Sequence, residues 1–221
     1  MSKRNNLIII GVAGVAFILF VIFIYLPYAD EQSHLNRVKE SYQHSSYLRD
    51  SVGHIPAFRC TDQNGRVITE KDVQGQVMVA SFFYTTCDGY CPTTTKHLAT
   101  VQQSLNDSID FRILSFSLNP ETDTTERLHQ YAEMYQAKDD VWHFLRGEQD
   151  DIFQIGEQGF MTIVKGADGS FEGHSDRFTL VDKQGNIRGF YRGTDSLQLM
   201  ALIQDINYLV FKGETDDRKD H

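Results

Sequence analysis

The sequence SFFYTTCDGYCPTTTKHL, residues 81–98, joins an apolar run to a stretch with helical spacing, with Cys87 and Cys91 four positions apart between them. The run VMVASFFY, residues 77–84, is almost continuously apolar, which is typical of a strand buried on both faces of a sheet. Pro92 suits the first turn of a helix because that position needs no backbone N–H donor. The stretch therefore predicts a strand, a tight corner that carries two thiols, and a helix.

The alternation of strand and helix continues through residues 55–212. Before the central run, Asn64-Gly65 is a typical hairpin turn between the stretches 58–60 and 67–69. This order predicts an α/β thioredoxin-like fold, in which a central β-sheet is flanked by helices and preceded by an extra N-terminal hairpin. The elements predicted after the corner are a helix at 92–105, a strand at 109–118, a helix at 123–137, a hairpin at 177–193 and an amphipathic helix at 195–211.

The N-terminus carries an apolar run with the length of a membrane span. Lys3 and Arg4 precede the run, and no charged residue interrupts residues 7–28. A helix needs about 20 apolar residues to cross a bilayer, and the run ends in bulky residues rather than the small ones of a signal-peptide cleavage site. We predict a single-pass anchor at 1–30, with the domain on the extracytoplasmic (periplasmic) side of the inner membrane because positive charge precedes the run. A polar tether at 31–54 and a charged tail at 213–221 flank the domain.

Composition excludes some classes of function. The 221 residues carry a formal net charge of −9 and a pI near 5.3, so no basic surface for nucleic acid is predicted. Three cysteines are too few for a disulfide-stabilised small domain, and Cys60 is left over from the pair. We predict that Cys60 is a small, partly buried residue with no part in the site.

The chemistry of Cys87 and Cys91 follows from their place at the start of a helix. The helix N-terminus stabilises thiolate, the form that both disulfide exchange and metal binding require. Three residues separate the pair, one more than in the usual redox motif of this fold, and flexible Gly89 lets the sulfurs converge on an ion as well as on each other. The pair is open to three interpretations: a structural disulfide, a redox couple, or two ligands of a metal. The structural bond is disfavoured because it seldom needs a strand-to-helix corner followed by proline.

His174 is the strongest candidate for a third ligand. It ends the glycine-rich stretch GADGSFEGH and precedes the hairpin strand predicted from Arg177. In a thioredoxin-like topology, the leading edge of that strand lies beside the thiol corner. The other histidines suit surface or packing roles: His34, His44, His54, His97, His129, His143 and His221.

Several stretches together resemble the Sco/SenC family over most of residues 55–212. They are FFYTTCDGYCPTTTKHL, LSFSLNPETDTTERL, WHFLRGE and FEGHSDRFTLVDKQGNIRGFYRG. The resemblance implies a membrane-tethered, thioredoxin-like protein that takes part in assembling the dinuclear copper (CuA) site of cytochrome c oxidase. It also implies that Cys87, Cys91 and His174 bind copper.

The sequence departs from the family pattern at two positions. Asp88 follows the first cysteine where the family usually has proline, and we expect its charge to raise the pKa of the thiols. Asn119 stands where the family usually has aspartate, which puts any role of that carboxylate in doubt. Asp123 matches the family, and with two threonines after it we interpret it as a helix cap.

The donor set itself favours copper. Two thiolates and one imidazole suit Cu(I) and Cu(II), whereas structural zinc usually takes four protein ligands and no fourth is evident in the sequence. The leading hypothesis is a copper chaperone that serves the copper-bearing subunit of the oxidase and depends on a thiol reductant, because the pair must be reduced to load copper.

Two enzymatic functions compete with the chaperone. A thiol–disulfide oxidoreductase that reduces cysteines of the oxidase or of other exported proteins is the main rival, and it has no strict need for His174. A peroxidase is weaker, because Thr85 and Thr86 are present but no arginine lies nearby in sequence.

Overall fold

The computed structural model describes residues 20–25, 45–105, 110–160, 163–165, 171–174 and 176–216, and the chain divides into two units, Met1–Gln43 and His44–His221. In the first unit, the described part is a single π-helical turn, Val21–Tyr25. No helix in the described ranges is both long and apolar enough to span a bilayer. The predicted anchor at 1–30 lies outside these ranges except for 20–25, so it stays a prediction, as do the domain boundaries.

The second unit contains nine described strands and four described α-helices. The strands are β1 (Arg59–Thr61), β2 (Val67–Thr69), β3 (Val77–Phe83), β4 (Phe111–Ser117), β5 (Trp142–Leu145), β6 (Ile163–Lys165), β7 (Phe171–His174), β8 (Arg177–Val181) and β9 (Ile187–Arg192). The helices are α1 (Cys91–Ser104), α2 (Thr125–Met134), α3 (Gln149–Gln154) and α4 (Ser196–Asp216), with a 3₁₀-helix at Glu70–Val73 and a π-helix at Ile155–Gly159.

The central sheet has the strand order β5-β4-β3-β8-β9. Strands β3, β4 and β5 run parallel, connected by α1 and α2, while β8 and β9 are antiparallel additions. Strands β1 and β2 form the predicted extra hairpin, and Gly65 at its turn has a φ of 76°, a left-handed conformation that glycine adopts without strain. The predicted α/β thioredoxin-like architecture is confirmed.

Two hydrophobic cores explain why the run 77–84 is almost continuously apolar. Val77, Val79 and Phe83 face one core, which is shared with α1, α2 and α4. Met78, Ala80 and Phe82 face the other, which is shared with the hairpin and α3. All seven residues of β3 are buried because side chains alternate between the two faces of a strand and both faces are covered.

The end of the predicted tether belongs to the folded unit. The backbone N–H of Arg49 donates to Arg188 at 2.6 Å, and Val52 donates to Ile187 at 3.0 Å. The N–H of Ser45 donates to the buried carboxylate of Asp205 at 2.6 Å. Residues 45–54 therefore lie against β9 and α4, where the sequence predicted a polar tether. Backbone hydrogen bonds of this kind leave no signature in the side chains, which are mostly polar here.

A small two-stranded sheet was not predicted. Strands β6 and β7 pair in antiparallel fashion, with Ile163 opposite His174. The glycines of GADGSFEGH indicated a loop up to His174, whereas the last four residues of that stretch form β7. The backbone of His174 is therefore held in a strand immediately before the hairpin begins.

Candidate metal centre

The two thiols lie where β3 gives way to α1. Cys91 is the first residue of α1, with Pro92 in its first turn as predicted. The N–H of Cys87 donates to the carbonyl of Tyr84 at 3.2 Å, which closes a turn that carries Cys87 toward the helix. The hydroxyl of Thr95 donates to the carbonyl of Cys91 at 2.7 Å. Local backbone structure thus fixes both cysteines, and both are free thiols.

The two thiols differ in exposure and in acidity. Cys87 is half-buried, whereas Cys91 is only 1% exposed. Burial raises the pKa of Cys87, but hydrogen bonds from the Cys91 thiol, from the backbone N–H groups of Cys91 and Gly89 and from the Tyr84 hydroxyl outweigh it, so the net pKa is lowered. Burial, followed by the hydrogen bond to Cys87, raises the pKa of Cys91 to about 12.

This asymmetry corrects the expectation for Asp88. We expected its charge to raise the pKa of both thiols, yet the pKa of Cys87 is lowered and that of Cys91 is raised chiefly by burial. The largest influences on both pKa values are burial and hydrogen bonds, and Asp88 is exposed to solvent. Cys87 is therefore the group that most readily supplies a thiolate.

The predicted cap of α2 is also wrong. Thr124 is the N-cap, and its hydroxyl accepts a hydrogen bond from the N–H of Arg127 at 3.3 Å. Asp123 is fully buried and turns toward residues 84–90, the thiol loop between β3 and α1, where it accepts hydrogen bonds from Thr85. Arg127 also reaches that loop, since its Nε donates to the hydroxyl of Thr85 at 2.6 Å. The contacts of Asp123 and Arg127 with Thr85 join residues far apart in the sequence, so the sequence pattern did not indicate them.

The backbone of His174 approaches the same edge of the central sheet. Strand β8 runs antiparallel to β3 and pairs Thr179 with Ala80, so Arg177 at its start lies toward the end of β3 from which the thiol loop leaves. Three residues of chain span at most about 11 Å, which bounds the distance from Arg177 back to His174. The side chain of His174 lies outside the described part of the chain, so its role as a ligand stays a prediction.

A hydrogen-bonded connection links α1 to the segment that follows His174. The Nδ1 of His97 lies 2.7 Å from the carbonyl oxygen of Gly193. The N–H of Gly193 donates to the carbonyl of Asp176 at 2.6 Å, and the hydroxyl of Thr194 donates to the carboxylate of Asp176. The helix that carries Cys91 and the strand that follows His174 are thereby held together. The sequence predicted only a surface or packing role for His97.

The remaining histidines and Cys60 occupy packing or surface positions within the described residues. His143 is buried, with its Nδ1 3.3 Å from a carboxylate oxygen of Asp62, while the side chain of His129 is 50% exposed. Cys60 is buried in β1, and burial raises its pKa to about 12. Side chains in the described part of the chain do not by themselves form a cluster of three or more His, Cys, Asp or Glu that could hold a metal ion.

Comparison with known proteins assigns the family. The SCO1/SenC family model matches residues 48–210. The SCO1 protein homolog of Bacillus subtilis is 32% identical over 163 residues, which cover 72% of this chain and 84% of that protein. The chain belongs to the SCO1/SenC family. The resemblance inferred from the thiol corner and the stretch around His174 is thus confirmed.

Solved structures of Sco proteins share the fold. The structure of BsSco, described as a Sco protein of cytochrome c oxidase assembly with a disulfide switch, superposes with a TM-score of 0.65 at 30% identity and covers 74% of this chain and 98% of that one. The copper-bound structure of ScoI from Bradyrhizobium japonicum has a TM-score of 0.57 at 23% identity, covering 72% and 99% of the two chains. The second likeness concerns the fold alone.

Proposed function

We propose that this Sco protein binds copper through Cys87, Cys91 and His174 and delivers it to the CuA site in the copper-bearing subunit of cytochrome c oxidase. The observation that carries the proposal is the pair of free thiols at the start of α1, one of them with a lowered pKa. Metal binding requires deprotonated cysteine, and Cys87 is prepared for that state by four hydrogen-bond donors.

The chemistry of the donor set supports copper as the cargo. Thiolates are soft ligands that select Cu(I), and an imidazole accepts copper in either oxidation state. Membership of the SCO1/SenC family also supports copper, because the solved structure of the Sco protein ScoI from Bradyrhizobium japonicum contains copper. A set of three ligands leaves one side of the ion open, so a ligand of the receiving subunit can bind before the donor ligands leave.

The location of the protein follows from the same proposal. The oxidase site that receives the copper lies outside the cytoplasm, and the charge pattern of residues 1–30 directs the domain to that side. Thiols oxidise readily there, so a thiol reductant has to return the Cys87–Cys91 disulfide to the dithiol before copper is loaded. Membrane attachment through the anchor would keep the domain close to its partner.

A second candidate function is thiol–disulfide exchange. The low pKa of Cys87 beside the high pKa of the buried Cys91 is the asymmetry of an attacking and a resolving thiol. Cys87 would attack one sulfur of a partner disulfide, form a mixed disulfide and release the partner's first thiol. Cys91 would then attack the sulfur of Cys87 and release the partner's second thiol. The pair would lose two electrons and two protons, which reduce the partner's disulfide to two thiols. The disulfide switch described for BsSco favours keeping this candidate.

Copper stoichiometry of the reduced, full-length protein tests the proposed function. We expect one Cu(I) per chain that withstands a weak chromogenic chelator, and loss of that copper in Cys87→Ser and Cys91→Ser. The matched control is Cys60→Ser, which removes a buried thiol outside the site and should keep the full copper equivalent. Equal copper retention by all three variants would contradict the assignment of the ligands.

A further inference from the structure

The carboxylate of Asp123 is completely buried, with 0% of the residue exposed. Its Oδ1 accepts a hydrogen bond from the Thr85 hydroxyl at 2.5 Å, and its Oδ2 accepts one from the Ser117 hydroxyl at 2.5 Å. The backbone N–H of Thr85 lies 3.2 Å from Oδ2 and 3.3 Å from Oδ1. Burial of a carboxylate is costly unless hydrogen bonds compensate it, so the donors around Asp123 are essential to its position.

The Asp123 carboxylate is not buried in order to cap α2. The hydroxyl of Thr124 performs that function by accepting from the N–H of Arg127. The contacts of the Asp123 carboxylate instead join two loops, the one after β3 and the one after β4. Arg127 completes the arrangement, because its Nε donates to the same Thr85 hydroxyl that donates to Asp123. A chain of hydrogen bonds therefore runs from the first turn of α2 through Thr85 to Asp123.

Thr85 is the point through which Asp123 can act on the thiols. It lies within the turn closed by the hydrogen bond from the N–H of Cys87 to the carbonyl of Tyr84. Asp123 holds Thr85 at two atoms, the amide nitrogen and the hydroxyl, which fixes both the backbone and the side chain at the start of the turn. The donors that lower the pKa of Cys87 come from that loop and from α1. A shift of the loop relative to α1 would therefore change both these hydrogen bonds and the distance between the two sulfurs.

We propose that Asp123 is a positioning residue for Cys87, holding the thiol loop through Thr85 in the conformation that presents both sulfurs to one copper ion. This inference rests on the proposed function for its copper readout, but its structural part does not. Partners that orient the ligands of a metal are known to influence affinity strongly, and their mutation typically costs about 10- to 100-fold.

The test replaces Asp123 by its isosteric amide. In Asp123→Asn one acceptor oxygen becomes an NH₂ group, which cannot accept the hydrogen bond that the hydroxyl of Thr85 or of Ser117 donates to it in the wild type. The matched control is Asp205→Asn, since Asp205 is an equally buried carboxylate that binds Ser45 and the Tyr191 hydroxyl and none of the thiol loop. Both changes are the same in chemistry and burial, and only one touches the thiol loop.

Two measurements on the full-length protein distinguish positioning from general stability. In a Cu(I) competition with a chromogenic chelator, we expect Asp123→Asn to weaken binding by about 10- to 100-fold, and Asp205→Asn by less than about threefold. In hydrogen exchange of the reduced, copper-free protein, we expect amides 84–87 to exchange at least about tenfold faster in Asp123→Asn, because the hydrogen bonds that Thr85 donates to the carboxylate are lost. Asp205→Asn should leave that segment unchanged.

A second variant keeps the inference testable if Asp123→Asn does not fold. Thr85→Val removes only the hydroxyl and should weaken copper binding several-fold, more than Ser117→Ala, which removes a donor that does not belong to the thiol loop. Wild-type affinity in Asp123→Asn, or equal losses in Asp123→Asn and Asp205→Asn, would overturn the inference. If the wild-type protein binds no copper, the proposed function fails, and hydrogen exchange at 84–87 still decides whether Asp123 positions the loop.

Discussion

Selective alkylation of Cys87 is the sharpest consequence of the thiol geometry. The pKa of Cys91 is about 12, while that of Cys87 is below the ordinary thiol value of 9.0. At pH 8, a thiol with a pKa of about 12 is about one part in 10,000 thiolate, whereas a thiol with a pKa below 9.0 is about one tenth thiolate or more. The ratio of thiolate fractions is therefore about 1,000 or more.

The lower nucleophilicity of the more acidic thiolate makes the ratio of alkylation rates smaller than the ratio of thiolate fractions. Nucleophilicity falls with thiol pKa with a Brønsted slope of about 0.4–0.5, so it offsets less than half of the difference in thiolate fraction on a logarithmic scale. Alkylation of Cys87 should still be at least about 50-fold faster than that of Cys91, and the burial of Cys91, which is 1% exposed, adds to the difference.

The assay is a pulse of iodoacetamide at pH 8 on the reduced protein, with the labelled cysteine located by fragmentation of the peptide 72–96. Cys60 provides an internal control, because it is buried with a pKa of about 12 and should react as slowly as Cys91. In a denaturant the three thiols should react at similar rates. Equal labelling of Cys87 and Cys91 in the native protein would refute the hydrogen-bond account of their acidity.

Three further substitutions test other parts of the structure. A Cβ on Gly193 would lie 2.5 Å from the carbonyl oxygen of Asp176. Gly193→Ala should therefore displace the segment after His174 and weaken copper binding about tenfold. Unchanged copper affinity in a chelator competition would contradict a role for the link between α1 and that segment. Thr124→Ala should lower the free energy of unfolding, measured in denaturant titrations, by about 1 kcal/mol and leave copper affinity unchanged. If the variant is as stable as the wild type, Thr124 is not the cap. Burial lowers the pKa of His143 below 6.5 despite the carboxylate of Asp62. The folded state thus takes up this proton less readily than the unfolded state, so the contribution of His143 to stability is fully present above about pH 6.5 and is lost as the pH falls below that value. His143→Gln should flatten this decrease between pH 7 and pH 5, and an unaltered pH profile would exclude the histidine as its cause.

Features that depend on local pattern could be predicted from the sequence. The Asn64-Gly65 hairpin, the doubly buried β3 and the helix that begins at Cys91 each have a signature within a short stretch. The helix predicted from residue 195 is also present as α4, and the carboxylate of Asp195 caps it by accepting from the N–H of Leu197 at 2.9 Å. These elements follow from turn conformation, side-chain alternation and capping, which neighbouring residues determine.

Features that depend on tertiary contact could not be predicted. Asp123 and Thr85 are 38 positions apart, and only the parallel pairing of β3 with β4 brings their loops together. The local sequence Asp-Thr-Thr suits a helix cap equally well at Asp123 or Thr124, so the pattern does not indicate which residue turns inward. His97 is similar, since its partner Gly193 is 96 positions away.

The copper content of the oxidase in cells that carry His174→Ala tests the central claim most directly. Cells whose only copy has this substitution should assemble oxidase with as little copper as cells carrying Cys87→Ala, because two thiolates alone do not hold the ion against competing ligands. The control His129→Ala removes an exposed histidine of α2 and should support normal copper content. The His174 variant should still cycle between dithiol and disulfide, since that bond needs only the two sulfurs. Near-normal oxidase copper in cells with His174→Ala would contradict the copper-delivery account and favour thiol–disulfide exchange.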